Sequence, residues 1–283
     1  MKVIDQTLLE KVIIERSRHS HKGDYGRLLL LGGTYPYGGA IIMSAIAAVR
    51  SGAGLVTVGT DKENISALHS HLPEAMAFSL KDKALLKEQL EKAEVVLLGP
   101  GLREDAFGEE LVRRFFDSLR KDQILIADGG ALGILAKAHL TFPSSQLILT
   151  PHQKEWERLS GIVLDHQNTE ATARALSAFP QRTILVEKGS ATRIWKAGQS
   201  EYYQLQVGGP YQATGGMGDT LAGMIAGFAG QFHQVSLYER VVAATHLHSA
   251  IAQELAQENY LVLPTEISKA LPKTMKKISQ KGS

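Results

Sequence analysis

The sequence predicts an α/β fold in which a doubly wound, mostly parallel sheet is flanked by helices. Short apolar runs alternate with segments of helical periodicity, the runs are continuously apolar, and each ends in a polar or glycine-rich loop. Continuous apolar runs are typical of strands buried on both faces of a sheet, and their spacing suits crossover helices. We therefore expect one large core and a single domain over residues 1–283.

An opening helix is predicted over about residues 6–16, and five apolar runs after it predict parallel strands. The runs are RLLLLGG (27–33), LVTVGT (55–60), EVVLLGPG (94–101), QILIADGG (123–130) and QLILTPH (146–152). Ligands of such sheets bind outside the carboxyl ends of the strands. We therefore expect one site to be lined by the loops GGTYPYGG, GPG, ADGG, TPH and EKGSAT.

The pattern changes from residue 183 onward. The pieces TILVEKG, ATRIWKAG and EYYQLQV predict antiparallel strands at one edge of the sheet. Two long helices are predicted after them, over 218–230 and about 235–257. The final stretch KTMKKISQKGS, residues 273–283, predicts a flexible tail because it is polar and terminal.

The composition excludes several classes of protein and site. There are 31 basic and 29 acidic residues, so the formal net charge of +2 gives no overall field that attracts nucleic acid or an anionic membrane. The absence of cysteine excludes disulfides, thiolate zinc sites and a cysteine nucleophile, and it fits a reducing compartment. The N-terminus lacks a signal-peptide apolar region, and no run approaches the ~18 apolar residues of a spanning helix. We expect a soluble, cytoplasmic protein.

A glycine-rich run, GGPYQATGGMGDTLAGMIAG (208–227), contains Asp219 as its only charged residue. Apolar residues at positions 221, 224, 225 and 228 have helical spacing and predict a helix that starts near Gly218. The backbone N–H groups at a helix N-terminus lack intrahelical partners and lie at the positive end of the helix dipole, so they can bind a phosphate. We predict an anion hole formed by Gly215, Gly216, Met217 and Gly218.

Asp219 is predicted to lie in the first turn of this helix. There it could accept a proton from a hydroxyl group that attacks a terminal phosphoryl group. The alternative is that Asp219 is only an N-cap or stabilises the helix dipole, as most acids at helix starts do. Thr214 is an equally good candidate for the cap. The residues alone leave both interpretations of Asp219 open.

The segment ATGGMGDTLAGMIAG resembles the anion-hole and catalytic-aspartate motif of the ribokinase-like superfamily. Further stretches resemble the NAD(P)H-hydrate dehydratase family within it, whose members use ADP or ATP to repair hydrated nicotinamide cofactors. These stretches are HKGDYGRLLLLGG (21–33), YGGAIIMSAIAAVRSGAGLVTV (37–58), LLGPGL (97–102), LTPHQKEWERLSG (149–161) and EKGSATRIW (187–195). The resemblance extends from about His21 to Gly230, and the order and spacing of the motifs make it specific.

The resemblance implies that the hydrated cofactor binds at Ala40, Gly101, His152 and Asp219. From the residues alone, the small residues 38–40 open a helix that offers a second N-terminus to a ligand, or they simply form a turn. Gly101 permits close backbone approach or makes a tight turn. A single histidine at a strand end, such as His152, is more often structural than functional.

The resemblance places the adenine nucleotide at Lys188, Gly189, Ser190, Ala191 and Thr192, with Gly218 completing the phosphate contacts. This segment is predicted to be a turn between two edge strands, and its cation and hydroxyl groups suit phosphate and ribose. An ordinary hairpin turn is the alternative. The chain contains no GxxxxGK[ST] motif, so the nucleotide should bind differently than in P-loop proteins.

Asp128 and Glu155 are secondary candidates for positioning a metal or phosphate. Relatives commonly have a second acid where this chain has Gly130, so the role of a paired carboxylate is in doubt. Three His-x-His pairs, 19/21, 69/71 and 246/248, lack a third ligand, the first two in loop-like surroundings and the third on opposite sides of a helix. Any metal is expected to be Mg²⁺ carried with ADP or ATP, and no protein ligand is predicted for it.

The implied reaction is nucleotide-dependent dehydration of the S epimer of hydrated NADH or NADPH. It restores NAD(P)H and releases phosphate together with AMP from ADP, or ADP from ATP. The choice of nucleotide and of NADH or NADPH hydrate stays open. The alternatives are a small-molecule kinase of the same superfamily that phosphorylates a vitamin-like alcohol, and a non-catalytic nucleotide-binding sensor.

The resemblance also implies a homo-oligomer, with the helix over 235–257 as one possible contact. Many relatives carry an additional epimerase domain. About 20 residues precede the matching region here, too few for such a domain, so we expect a separate NAD(P)H-hydrate epimerase as functional partner. We expect neither a nucleic-acid nor a membrane partner.

Overall fold

The computed structural model describes residues 1–138, 142 and 146–281, and in this part ten strands form one sheet. The strands are β1 (Lys2–Val3), β2 (Arg27–Leu31), β3 (Leu55–Thr60), β4 (Met76–Ser79), β5 (Val95–Leu98), β6 (Ile124–Ala127), β7 (Gln146–Leu149), β8 (Ile184–Glu187), β9 (Arg193–Lys196) and β10 (Tyr203–Gln204). The helices are α1 (Gln6–Val12), α2 (Gly38–Arg50), α3 (Asn64–His71), α4 (Lys83–Lys92), α5 (Ala106–Ser118), α6 (Gly130–Ala138), α7 (Gln153–Ser160), α8 (Thr169–Leu176), α9 (Met217–Ala229), α10 (Leu237–Leu255) and α11 (Pro264–Ser279).

The sheet has the strand order β1-β10-β9-β8-β7-β6-β5-β2-β3-β4. All pairs from β8 to β4 are parallel, whereas β8–β9 and β9–β10 are antiparallel. The five predicted parallel strands and the predicted antiparallel edge are therefore confirmed. The strand β8 belongs to both parts, because it pairs parallel with β7 and antiparallel with β9.

The sheet is buried on both faces, as its continuous apolar runs predict. Along β2, Leu28 and Leu30 belong to one apolar cluster, with helices α1, α2, α9, α10 and α11, while Leu29 and Leu31 belong to the cluster with α4 to α8. Successive side chains of a strand point to opposite faces, so one uninterrupted leucine run serves both cores.

The direction of winding reverses at β2, which has β3 on one side and β5 on the other. A ligand crevice of a doubly wound sheet lies at such a point. Here the loops after β2 and β5 are joined, because the N–H of Gly33 donates to the Pro100 carbonyl at 2.8 Å and the N–H of Thr34 donates to the Gly101 carbonyl at 2.9 Å. The rim of the crevice is therefore built by two braced loops.

Helices α2 and α9 pack closely, and both begin at this rim. A Cβ placed on Gly223 of α9 would lie 2.1 Å from the backbone oxygen of Ser44 in α2. At the far ends of the helices, the Gln231 side chain donates to the carbonyl oxygens of Ser51 at 2.9 Å and Gly227 at 2.8 Å. The two helix N-termini are therefore held in a fixed relation to each other.

Two expectations about the helices need correction. Helix α1 ends at Val12 rather than near residue 16. The predicted flexible tail is wrong for residues 273–279, which continue α11, because Ile267 and Leu271 are fully buried against the core and anchor that helix; residues 282 and 283 lie outside the described part. Helix α10 is buried over most of its length by its own chain.

Candidate active site

The chain segments that follow β6, β7 and β8 meet at the carboxyl edge of the sheet. Lys188 lies at the end of β8, and its N–H donates to the Pro151 carbonyl at 2.9 Å, next to an isolated parallel bridge between Lys188 and His152. Asp128 follows β6, the other neighbour of β7. The structure therefore brings together three loops that the sequence predicts to line one site.

Asp128 and Lys188 form a buried ion pair. Asp128 is 2% exposed, and its Oδ1 accepts hydrogen bonds from Lys188 Nζ at 2.9 Å and from Thr150 Oγ1 at 2.7 Å. A buried carboxylate is stable only when it is paired and hydrogen-bonded, and both conditions hold here. Thr150 is the first residue of the TPH loop that was predicted to line the site, but it was not singled out as a site residue.

The N-terminus of α9 is open at the same place. Gly216 is the N-cap, in the left-handed region with φ 94°, and among the described residues no side chain makes a capping hydrogen bond to it. Thr214 as a cap is therefore wrong, and so is the N-cap alternative for Asp219. The first N–H groups of α9 have no helical partner, as the anion-hole prediction for Gly215, Gly216, Met217 and Gly218 requires.

The Lys188 ammonium lies against this helix end. A Cβ placed on Gly218 would be 3.1 Å from Lys188 Nζ, whereas a Cβ on Gly215 would meet no atom within 4 Å. The helix end therefore combines free amides, a fixed cation and open space, which suits a phosphate group.

Asp219 lies in the first turn of α9 and is half-buried. Burial, together with the nearby Asp128 carboxylate, raises the pKa of Asp219 to about 6, although the Lys188 charge acts in the opposite direction. A carboxylate with a pKa close to neutrality is a better general base than an ordinary aspartate. The side chain is thus chemically suited to remove a proton from a hydroxyl group.

His152 and Glu155 cap helix α7. The N–H groups of Lys154 and Glu155 donate to His152 Nδ1 at 3.1 and 3.3 Å, and Glu155 Oε2 accepts from the His152 N–H at 2.8 Å. The structural alternative for His152 is therefore correct in part. Because Nδ1 accepts hydrogen bonds, a neutral His152 carries its proton on Nε2 and can donate it to a ligand.

The pKa values of both capping residues, His152 and Glu155, differ from their ordinary values. Burial raises the pKa of Glu155 to about 7, with Lys188 opposing and Asp128 reinforcing the shift. Burial and then the Lys188 charge lower the pKa of His152. The imidazole therefore stays neutral at physiological pH, which favours a hydrogen-bond donor rather than a cation at this position.

The predicted substrate residues Ala40 and Gly101 are neighbours. Gly101 has φ 64°, and a Cβ on it would lie 3.0 Å from the Ala40 Cβ and 2.3 Å from the Tyr37 backbone oxygen. Glycine is therefore required at 101 both for its backbone conformation and for space. Helix α2 begins beside them at Gly38 and has no side-chain cap at Tyr37, so it offers a second open N-terminus.

The predicted nucleotide segment forms the turn between β8 and β9. Thr192 Oγ1 donates to the Gly189 carbonyl at 3.1 Å and closes the turn, while Gly189 and Ser190 are exposed and Ala191 is half-buried. The backbone and hydroxyl groups of this turn are accessible to a ligand. Lys188 differs from the rest of the segment, because its side chain is directed to Asp128 and the α9 N-terminus.

Gly130, where relatives commonly have a second acid, leaves no room for a side chain. A Cβ on Gly130 would lie 1.8 Å from the Leu102 carbonyl oxygen.

Of the histidine pairs, 69/71 lies in the last turn of α3 rather than in a loop, which corrects that expectation. Over the described ranges, no group of three or more histidine, aspartate or glutamate side chains is placed to hold a metal ion. Within those same residues, no helix is long and apolar enough to cross a membrane.

The comparisons with known proteins identify the family of the chain. A sequence profile of the family described as NAD(P)H-hydrate dehydratase matches residues 28–273. The chain is 79% identical to the ADP-dependent (S)-NAD(P)H-hydrate dehydratase of Streptococcus pneumoniae over 99% of its length and 97% of the relative. Its structure is similar to that of a hypothetical protein from Streptococcus mutans, with a TM-score of 0.95, 54% identity and coverage of 98% and 100% of the two chains.

The chain is also similar to a solved relative that was co-crystallised with a nucleotide. It is the ADP/ATP-dependent NAD(P)H-hydrate dehydratase of Bacillus subtilis, co-crystallised with ATP and Mg²⁺, with a TM-score of 0.82, 28% identity and coverage of 97% of each chain.

Proposed function

Because the chain belongs to the NAD(P)H-hydrate dehydratase family, we propose that it dehydrates the S epimer of hydrated NADH and NADPH at the expense of an adenine nucleotide. The products are NAD(P)H, inorganic phosphate, and AMP from ADP or ADP from ATP. The observation that carries the proposal is the uncapped N-terminus of α9, with Asp219 in its first turn and the Lys188 ammonium against it. One helix end thus holds an anion site, a base and a cation.

In the proposed first step, the Asp219 carboxylate removes the proton from the C6 hydroxyl of the hydrate. The hydroxyl oxygen attacks the terminal phosphoryl group of the nucleotide, and the nucleotide loses that group and leaves with the electron pair of the broken P–O bond. The amides around Gly215 to Gly218 stabilise the charge that develops on the phosphoryl oxygens. The C6 oxygen thereby becomes part of a good leaving group.

In the second step, the lone pair of the ring nitrogen expels phosphate from C6. Loss of a proton from the adjacent ring carbon then restores the dihydropyridine, so the net change is loss of water coupled to cleavage of one phosphoanhydride bond. Ala40 and Gly101 would hold the hydrated ring at the α2 N-terminus. The Nε2–H of His152 would donate to the substrate.

The nucleotide would lie on the turn from Gly189 to Thr192, with its terminal phosphate on Gly218. Oxygen donors of the kind that Mg²⁺ prefers lie nearby, on Asp128 and Glu155. The half-buried Glu155 carboxyl, whose pKa is about 7, would be stabilised in its charged form by a cation, so the site fits a magnesium ion carried by the phosphates. Such an ion would supply neutralisation of phosphate charge.

The curated relative from Streptococcus pneumoniae is named ADP-dependent, whereas the Bacillus subtilis structure is named for both nucleotides. We infer that ADP is the preferred donor of this chain. We further propose a homo-oligomer in the cytoplasm that works with a separate epimerase, which converts the R hydrate to the S epimer.

The test is turnover of purified (6S)-NADH hydrate and (6S)-NADPH hydrate with ADP and with ATP. Phosphate release and recovery of the near-ultraviolet absorbance of the reduced nicotinamide are measured together. We expect equal amounts of both products from the parent, and a loss of at least ~100-fold for Asp219→Asn, as for removal of a general base. Asp117→Asn, an exposed acid on α5, is the matched control and should retain the parent activity.

The alternatives give different results in the same assay. A small-molecule kinase would accumulate a phosphorylated alcohol without free phosphate. A sensor would bind ADP or ATP without turnover of either hydrate. Either result with folded parent protein would overturn the proposal.

A further inference from the structure

We propose that Asp128 is a positioning residue, which holds the Lys188 ammonium at the N-terminus of α9 so that Lys188 contacts the phosphoryl group being transferred. The inference rests on the proposed function and adds to it a specific target for Lys188. It also gives Asp128 a task other than binding a metal ion.

The first argument is the direction of the Lys188 side chain. Lys188 begins an exposed turn, yet its own side chain is only 19% exposed and ends 2.9 Å from Asp128 Oδ1. A lysine that served the ribose or the α-phosphate would lie along the turn with Gly189 and Ser190. This lysine instead leaves the turn and crosses to the chain segment that follows β6.

The second argument is what Lys188 reaches. The distance of 3.1 Å between Lys188 Nζ and the Cβ position of Gly218 places the ammonium beside the second residue of α9. A phosphate on the first amides of α9 would therefore touch this ammonium. A side chain at Gly218 would crowd the Lys188 ammonium, so glycine keeps the space between the amides and the ammonium open.

The third argument is the way Asp128 is held. Its Oδ1 accepts both from Lys188 Nζ and from Thr150 Oγ1, at 2.9 and 2.7 Å. The hydroxyl fixes the carboxylate, and the carboxylate fixes the ammonium. A lysine has a long, flexible side chain, so such a restraint lowers the entropy cost of placing its charge in the reaction.

The charges around Lys188 keep it protonated. Burial acts against the ammonium, but the Asp128 and Glu155 carboxylates, with Asp219, outweigh it and raise the pKa of Lys188. A phosphoryl group in transfer carries charge on its equatorial oxygens, and a fixed cation beside them stabilises the transition state. Lys188 then acts as a permanent positive charge and not as an acid or base.

Binding of AMP and ADP to Lys188→Met tests the target of Lys188. Both nucleotides are titrated calorimetrically without magnesium and without the hydrate. The two ligands differ only in the terminal phosphoryl group, so we expect the ADP affinity to fall by about tenfold, the scale of one charge-assisted hydrogen bond, and the AMP affinity to change by less than about threefold. Equal losses for AMP and ADP would overturn the proposal, because they would place Lys188 on the α-phosphate or ribose.

Variants of Asp128 and Thr150 test the positioning role. We expect Asp128→Asn to lower kcat by about 10- to 100-fold with little change in the affinity for AMP, since a small misplacement of a catalytic charge has effects of this size. Thr150→Val should lower kcat by a smaller factor, and Thr150→Ser, which restores the hydroxyl, should recover it. A loss of kcat that follows a loss of Tm or of AMP affinity would assign Asp128 and Thr150 a merely structural role.

The two levels of the proposal fail separately. If the parent protein does not turn over the hydrates, the proposed function is wrong whatever the variants do. If the parent turns over and Lys188→Met binds AMP and ADP equally weakly, only the assignment of Lys188 to the transferred group is wrong.

Discussion

The Ser44 hydroxyl donates a hydrogen bond to the backbone carbonyl oxygen of Asp219 at 2.9 Å, across 175 residues of sequence. Ser44 lies on α2 and is fully buried, and its hydroxyl is also 3.1 Å from the Ala40 carbonyl oxygen. This contact joins the helix that carries the proposed base to the helix that begins at the proposed substrate site. It fixes the backbone of Asp219 without using its carboxylate.

Ser44→Ala should therefore lower both stability and turnover by modest amounts. We expect the free energy of unfolding in urea to fall by about 1 kcal/mol, as for one buried hydrogen bond, and kcat to fall by less than about tenfold. Ser70→Ala is the matched control, because the Ser70 hydroxyl also bonds a carbonyl one turn earlier, but on the exposed face of α3. Identical unfolding curves for the two variants would show that the Ser44–Asp219 contact stabilises nothing.

The close approach of α2 and α9 depends on Gly223. A methyl group there would lie 2.1 Å from the Ser44 backbone oxygen, which cannot move without moving α2. We expect Gly223→Ala to lower the free energy of unfolding by about 1–3 kcal/mol, the usual cost of overpacking. Gly39→Ala is the control for the change itself, because a Cβ at Gly39 meets no atom within 4 Å and alanine is a good helix former. A Gly223→Ala protein as stable as the parent would contradict this packing.

The parts of the fold that could be predicted from the sequence are those with a continuous signal. The five predicted runs became inner strands of the sheet because burial on both faces makes them almost continuously apolar, with the buried Thr57 and Thr60 of β3 as exceptions. Strand β4, MAFS, was missed because it is a short, partly exposed edge strand. Helix α11 was missed because nine of its 16 residues are lysines or other polar residues, and its last part falls in the segment 273–283 that was predicted to be a tail.

The sequence predicted individual residues of the candidate site, but not the contacts between residues that are distant in sequence. Asp219 and its glycines are contiguous, so their chemistry is visible in one motif. The Asp128–Lys188 pair spans 60 residues, and only the pairing of β6, β7 and β8 places the two side chains together. The Thr150 hydroxyl carries no sequence signal, because a threonine at the end of a buried strand is common in a sheet.

The rate should depend on the ionisation of Asp219. A base must be deprotonated to act, and the pKa of Asp219 is about 6, so kcat/KM for the hydrate should fall below pH 6 and reach about one tenth of its plateau near pH 5. Initial rates from pH 5 to 8 at saturating ADP measure this acid limb.

Glu155→Gln distinguishes the two carboxyls whose pKa values are raised. If Asp219 is the base, the variant keeps an acid limb near pH 6, even if its plateau is lower. A limb that disappears in Glu155→Gln would assign the titration to Glu155, whose pKa is about 7, and would remove Asp219 from the role of base.

Ionisation of Asp219 should also lower the stability of the folded protein. Its pKa rises from an ordinary value of 3.8 to about 6 in the folded protein, so the folded state binds the proton more tightly than the unfolded state. Stability is therefore lost as the pH rises through this window, and the full loss is present above pH 6. Asp219→Asn cannot ionise and should have a higher Tm than the parent at pH 8, with the difference shrinking towards pH 4.

Asp117→Asn removes the same charge from an exposed position and controls for net charge. An Asp219→Asn protein less stable than the parent at pH 8 would mean that the ionised carboxylate is stabilised by its surroundings, against the burial that raises its pKa.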